Sequence, residues 1–309
     1  MVESPGLLTT VQDQGREGYG PQGISPSGAA DPIALQLGNL LVGNDAKTAA
    51  LEMTLMGGSY SFPEGAVIAL AGADFGSTLN GRPASLWTPH AVLPGNRLSM
   101  VPTRDYARCY MCIAGGIKVP AFLGSASTHL LSGLGGFKGR ALRKGDVLEI
   151  GAPTRSLRGR KIAPKALEAW KPRKTLRVTD GPQFDWFSEE AKRVFFQSTF
   201  RVSEESDRMG LRLEGPSLTA ESSGEMITEG VTLGAIQVTP SGKPIILFVE
   251  QQTTGGYPKI ANVIGADIHS VGQLRPRDEV RFEPVSLASA RSLWMEQQRL
   301  LGSHEELFA

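Results

Sequence analysis

The chain has 309 residues, of which 40% are hydrophobic and 20% charged, with a net charge of +1. That length suggests two domains or one large one, with enough apolar content for a sizeable core. Charge this close to balance gives no basis for binding nucleic acid or an anionic membrane, and no apolar stretch approaches the roughly 20 residues needed to span a bilayer.

Met1–Gly6 lacks the basic and apolar regions of a signal peptide, so the cytoplasm is the expected location. Thirty-seven glycines and 20 prolines, with few long helical patterns, predict a mainly β chain with many turns. Leu7–Val11 reads as a first strand. A polar, glycine-punctuated loop follows from Gln12 through Asp13, Gly15 and Arg16 to Gly20, and continues through Ser27-Gly28 to Asp31. Asp31-Pro32 signals a helix start, with Asp as N-cap and Pro in the first turn. Ile33, Leu37, Leu40 and Leu41 give the helix one apolar face, and Gly43-Asn44 ends it. Between about residues 60 and 150 the pattern is one of hairpins. Val67–Leu70 is a buried strand, Asn80-Gly81 is a two-residue hairpin turn, and Pro94-Gly95-Asn96 and Lys144-Gly145-Asp146 mark further turns. Short strands at this spacing predict a barrel or sandwich.

Cys109 and Cys112 form a C-x-x-C within the strand-like Tyr106–Ile113. Positions three apart on a strand face opposite sides, and no second Cys/His cluster completes a zinc site, so both read as buried strand residues. Gly133–Arg140 is glycine-rich and basic. Its amides, at Gly135 and Gly136, and its cations, Lys138 and Arg140, suit a phosphate, although a flexible loop explains them equally well and no Walker motif is present. Residues 151–174, with a basic run from Arg155 to Lys161 and Lys171-Pro172-Arg173-Lys174, form the candidate linker.

The second half opens with the strand Thr175–Val178. Ser188 caps a short helix running to about Phe196. Asp207–Leu213 is a turn leading into a strand, and Gly234–Val238 is a further strand. Leu287–Leu301 reads as a terminal helix with Ala290, Leu293, Trp294 and Leu300 toward the core. The densest polar stretch lies at 249–265. The apolar run Ile245–Val249 leads into Glu250, Gln251, Gln252, Thr253 and Thr254, then Gly255-Gly256, Tyr257, Pro258 and Lys259. A plain hairpin needs the glycines, which allow close approach to the main chain, but not the amides, hydroxyls, phenol and ammonium around them.

Metalloprotease, nucleophile-elbow, Walker and dinucleotide motifs are all missing, and His90, His129, His269 and His304 each stand alone. A triad hydrolase or a zinc enzyme is not expected. What remains is a set of polar groups on glycine-rich turns. Lys259 suits charge developing on an oxygen, and Tyr257 suits hydrogen bonding to a substrate oxygen. Gln252, Thr253 and Gln237 suit an amide, with Thr254, Gly255 and Gly256 alongside. Arg208 suits a carboxylate, or else a structural ion pair. Asp13 is either a ligand contact or a turn cap, and Ser27 is grouped with it as a binding residue.

Gln252–Ile260 (Gln-Thr-Thr-Gly-Gly-Tyr-Pro-Lys-Ile) resembles the signature of the allophanate hydrolase subunit 2 family, also called KipA-like or biotin-dependent carboxyltransferase-like. Thr10-Val11-Gln12-Asp13, Gly15-Arg16, Ser27-Gly28-Ala29, Asp31 and Asp207–Leu213 agree with it, and the resemblance runs from about Pro5 to about Val285. It implies a mainly β, two-lobed protein of cyclophilin-like β-barrel domains with a few short helices. The expected parts are an N-terminal β-rich lobe (1–155), a C-terminal cyclophilin-like barrel lobe (172–286), and a helix and tail (287–309). The family includes the C component of ATP-dependent 5-oxoprolinase, which acts with an A component and a KipI-like B component on a small lactam or amide. That is the expected function, with ATP shared with a partner chain and Mg as its companion. Two other roles occur in the family. One is transfer of a carboxyl group from carboxybiotin to urea or a related amide, the only reading that calls for biotin. The other is non-enzymatic regulation of a KipI-like kinase inhibitor.

Overall fold

A computed structural model describes residues 1–153, 161–220 and 226–308. The basic run Thr154–Arg160 lies outside the described residues. The chain divides into two compact units. The first comprises Met1–Arg16, Ser27–Lys171 and Ser303–Ala309; the second comprises Glu17–Pro26 and Pro172–Gly302.

Two five-stranded sheets build the first unit. One runs in the order Leu8–Gln12, Ala50–Thr54, Arg108–Ile113, Ala66–Gly72, Pro89–Val92, and the other in the order Val2–Ser4, Ser59–Phe62, Asn96–Ser99, Thr78–Leu79, Arg82–Pro83. Alternate residues of both sheets meet in one core that includes Val11, Leu51, Met53, Tyr60, Phe62, Leu70, Leu98, Cys109 and Met111, as expected for sheets packed face to face. The turns form where the sequence places them. Asn80 and Gly81 both have positive φ, at 47° and 77°, which is the pair a tight two-residue hairpin needs.

The helix Pro32–Leu41 is capped by Asp31, whose Oδ1 accepts the Ala34 N–H at 2.9 Å. It packs on the strands Arg108–Ile113 and Ala66–Gly72. Cys109 belongs to the core between the sheets, whereas the Cys112 Sγ donates to Leu35 O on the helix at 3.6 Å. The two thiols are thus on opposite faces of one strand, both free, and burial pushes both well above their ordinary pKa.

The second unit is a closed seven-stranded barrel. Its strands follow the order Thr175–Asp180, Lys259–Val263, Ala235–Val238, Pro244–Leu247, Gly210–Glu214, Phe200–Val202 and Glu279–Pro284, and the last pairs in parallel with the first. The helix Glu189–Gln197, capped by Ser188, brings Phe195 against Phe282 in a stacked pair with centroids 4.5 Å apart. The terminal helix spans Leu287–Gly302. Its buried positions are Ala290, Gln297 and Leu301, while Trp294 is half exposed, contrary to the expectation from periodicity. The indole lies over Gly265, where a Cβ would come within 2.9 Å of the ring, and Gln297 turns inward because its Nε2 donates to Ala266 O at 2.9 Å. Among the described residues, no helix is long and apolar enough to cross a membrane.

Gly38 makes the contact between helix and sheet possible: a Cβ there would lie 2.7 Å from Cys112 Sγ and 3.1 Å from Ala71 Cβ. Gly38→Ala gains about 1 kcal/mol in helix propensity, but overpacking costs about 1–3 kcal/mol. Denaturant titration should show a net loss of stability, and a smaller one in a Cys112→Ala background, where the sulfur is gone. A Gly38→Ala protein more stable than the wild type would mean that the interface is slack.

Candidate functional site

On the barrel wall, Gln237 pairs across the sheet with Ile245 on one side and Lys259 on the other, and Ile245 pairs with Arg212. The outer face therefore carries a cross-strand row of Lys259, Gln237, Ile245 and Arg212. A bulge creates the first of these pairings. Ile236 faces Ala261, but Gln237 faces Lys259, so Ile260 is the extra residue. Without it, the apolar Ile260 would stand beside Gln237. A bulge re-aims a side chain in this way, and here it brings an ammonium beside an amide.

On the other edge of the Lys259 strand, pairing with Thr175–Asp180 stops at Asp180, and Gln183 continues the contacts beyond it. Gln183 Oε1 accepts the Lys259 N–H at 3.1 Å, and the Gln183 N–H donates back to Lys259 O at 3.3 Å. Gly181 lets the chain pass this close: a Cβ there would lie 2.2 Å from Lys259 O. Gln183 Nε2 donates to Glu229 Oε1 at 2.9 Å, and the same oxygen lies 2.6 Å from Lys259 Nζ. Lys259 is 2% exposed, so Glu229 matches a buried ammonium that has no other acceptor among the described residues. The Glu229 side chain itself is 43% exposed, so it caps Lys259 from the solvent side. Sequence reasoning does not single out Glu229 or Gln183. The alternation of apolar and polar residues carries no sign of either contact, because both reach Lys259 from segments distant in the chain.

The strand pair Glu229–Gly230 and Thr254–Gly255 lies over this wall. Gln237 is 1% exposed. Its Oε1 accepts from Gln252 Nε2 at 3.2 Å, and its Nε2 has no acceptor among the described residues. Gly255 is required here, because a Cβ would lie 2.5 Å from that Nε2. Tyr257, 41% exposed, borders two cavities. One, of about 210 Å³, is also lined by Asp207, Arg212, Gln237 and Gln252. The other, of about 550 Å³, is lined by Trp186 and by the hydroxyl residues Ser217, Thr219, Thr239 and Ser241. Lys259 lines neither cavity. Thr253 is half-buried, and Thr254 and Gly256 are exposed. Arg208 is buried and paired with Glu250 at 2.5 Å, so its charge serves an internal ion pair.

The remaining expected residues belong to the first unit. Asp13 Oδ1 accepts from the Ser125 and Ser127 hydroxyls, each at 2.6 Å, and from the Gly15 N–H at 2.8 Å. Its Oδ2 accepts from the Ala126 N–H at 2.6 Å. Asp13 thus ties two loops together. Ser27 donates to Thr128 O at 3.1 Å. In the glycine-rich loop, a Cβ at Gly135 would lie 2.2 Å from Ser127 O, and one at Gly136 would lie 1.9 Å from Thr128 Oγ1. Both glycines serve close packing. Lys138 and Arg140 lie over the Phe137 ring, and Arg140 makes a bidentate pair with Asp146 at 2.8 and 2.9 Å. The Arg140 hydrogen bonds draw the Asp146 carboxyl down to about 2. Among the described residues no cluster of three metal-ligating side chains occurs.

The family described as carboxyltransferase domain, subdomain A and B, matches residues 22–284. The chain is 39% identical over 296 residues to the C component of 5-oxoprolinase from Escherichia coli, covering 95% of this chain and 94% of that protein. It is 36% identical to the corresponding 5-oxoprolinase component of Haemophilus influenzae, covering 92% and 90%. Among solved structures, the urea carboxylase of Kluyveromyces lactis aligns with a TM-score of 0.91 at 35% identity, covering 99% of this chain and 29% of that one.

Hydrogen bonding to Lys259, and then to Gln183, holds the Glu229 carboxyl below its ordinary value of 4.5. A carboxyl lowered on folding contributes stability that is fully present above its unfolded value and is lost as pH falls through the folded one. Denaturant titrations from neutral pH downward should show Glu229→Gln less stable than wild type, with the gap closing below pH 4.5. A gap that does not depend on pH would remove the ion pair from the account.

Proposed function

Because the chain belongs to the family of carboxyltransferase domains with subdomains A and B, we propose that it acts within that fold as the C component of an ATP-dependent 5-oxoprolinase. The reaction opens 5-oxoproline, with ATP and water, to L-glutamate, ADP and phosphate, and the A component and the KipI-like B component are its partners. The observation that carries this reading is the end-to-end match to the 5-oxoprolinase C component, which spans 95% of this chain and 94% of the relative.

The barrel wall is suited to a lactam. The Gln237 and Gln252 amides offer donor and acceptor groups matched to a lactam C=O and N–H. The Tyr257 hydroxyl at the mouth of both cavities donates to a substrate oxygen. Lys259 supplies positive charge to the oxygen once Glu229 moves aside. Of the two cations expected to meet a phosphate, Arg140 is matched by Asp146, and on this reading ATP is shared with a partner component. The likeness to urea carboxylase supports carboxyl transfer to a urea-like amide as the second reading, in which turnover would require biotin.

The test is ATP-dependent loss of 5-oxoproline by the co-purified A and B components with and without this chain. Turnover should require the chain and should not require biotin. Lys259→Ala should abolish it while leaving the fold intact by circular dichroism, with a lowered Tm because the pair with Glu229 and the packing of a buried side chain are lost; normal turnover would end the role given to Lys259. Tyr257→Phe should lower kcat about tenfold or more, in the range of a lost hydrogen bond to developing charge. Unchanged kinetics would make the ring a packing group.

A further inference from the structure

Arg212 stands at one end of the cross-strand row. Its neighbours Leu211 and Leu213 point into the barrel and are buried, while Arg212 is exposed on the outer face. Other cations of this barrel are matched: Arg177 by Asp267, Arg201 by Glu214 and Arg208 by Glu250. The Arg212 backbone N–H donates to Ser206 Oγ at 3.0 Å, but its guanidinium has no ion-pair partner among the described residues. It borders the same 210 Å³ cavity as Gln237, Gln252 and Tyr257. The register puts Ile245 between Arg212 and Gln237, a separation of two strand spacings, about 10 Å between backbones. The long arginine side chain shortens that gap to the dimensions of a small molecule.

One end of this cavity therefore offers an uncommitted guanidinium. The other is bordered by Gln237, whose Oε1 is held by Gln252 and whose buried Nε2 lacks an acceptor among the described residues and lies against Gly255, so that N–H meets a ligand only as Gly255 shifts. A guanidinium selects a planar carboxylate, and an unmatched amide N–H selects a carbonyl oxygen. Asp207, which also lines the cavity, turns its Oδ1 to the Met209 and Gly210 N–H groups at 2.8 and 3.2 Å.

We infer that this cavity is a subsite for a small carbonyl compound bearing a carboxylate, with Arg212 reading the carboxylate and Gln237 the carbonyl. The inference rests on the 5-oxoprolinase reading for the identity of the ligand, a lactam acid. It adds the residue that separates such an acid from a neutral amide such as urea or 2-pyrrolidinone. Gln252 is a positioning residue, because it holds Gln237 in orientation.

The test uses the complex of the A and B components with this chain, and 5-oxoproline as substrate. Arg212→Gln should raise KM tenfold or more, with a much smaller effect on kcat, and Arg212→Lys should recover part of the loss. Because Arg212 is exposed and its guanidinium makes no ion pair among the described residues, Tm should not move. An unchanged KM in Arg212→Gln would overturn the assignment. If the wild-type complex does not consume 5-oxoproline, the 5-oxoprolinase reading has failed, and the subsite is tested separately by calorimetry on the full chain. Tighter binding of 5-oxoproline than of 2-pyrrolidinone, lost in Arg212→Gln, would uphold it. Equal binding of the two, or none, would overturn it.

Discussion

Taking an ammonium out of water costs several kcal/mol unless a counter-charge and hydrogen bonds replace the lost hydration. The wall around Lys259 is organised by that requirement. The bulge at Ile260 turns Lys259 to the polar face, and Gln183 takes up the Lys259 backbone N–H beyond the end of the strand Thr175–Asp180. The same Gln183 side chain steadies Glu229, and Glu229 neutralises the ammonium. Each contact depends on the one before it. Gly181 is part of the same arrangement, because only a residue without a Cβ leaves room for the Gln183 segment against Lys259 O.

Two ion pairs of the barrel with a fully enclosed carboxylate show what this one is not. Arg177 reaches Asp267 with both its backbone N–H and its guanidinium, and Asp267 is fully buried. Arg208 and Glu250 are likewise buried together. Opening either pair would strand a charge inside the protein, which costs far more than an exposed pair is worth. Glu229 is different because its side chain already touches water, so it can leave Lys259 and be solvated. Among these three pairs, only this one has a partner that can be exchanged at moderate cost.

Much of the fold is legible in the sequence, because its signals are local. The Asp31-Pro32 start, the Asn80-Gly81 turn, the Ser188 cap and the opposite facing of Cys109 and Cys112 each follow from a few adjacent residues. Periodicity misplaces Trp294 because helical spacing marks a face without saying which of its members a glycine in another segment will meet. At the site, the stretch from Gln252 to Lys259 stands out by residue type, and the structure brings Gln237, Gln252 and Lys259 onto one wall. Glu229, Gln183 and Arg212 do not stand out. Their placement depends on a bulge and on pairing between distant strands, and a single extra residue decides which side chain faces which. Asp13, Gly135 and Gly136 show the converse. They look like ligand contacts, but their polar and glycine character is used up in holding two loops together.

The exchangeable Glu229 also bears on how Lys259 contributes to the proposed reaction. A neutral lactam oxygen is a poor competitor for an ammonium already matched by a carboxylate, so the bound substrate gains little from Lys259. An oxygen that acquires negative charge as the amide is activated competes on nearly equal terms, and Glu229 can then turn to solvent. The desolvation of Lys259 is the same in both arrangements, so it cancels. What differs is the charge on the incoming oxygen. Interactions that strengthen only as charge develops lower the barrier, whereas those present equally in the bound substrate do not. A permanently unmatched lysine would bind any anion, including the carboxylate of the substrate, in the wrong place. In the proposed reaction, capping it with Glu229 would leave ground-state recognition to Gln237 and Arg212 and reserve the ammonium for the stage at which charge develops.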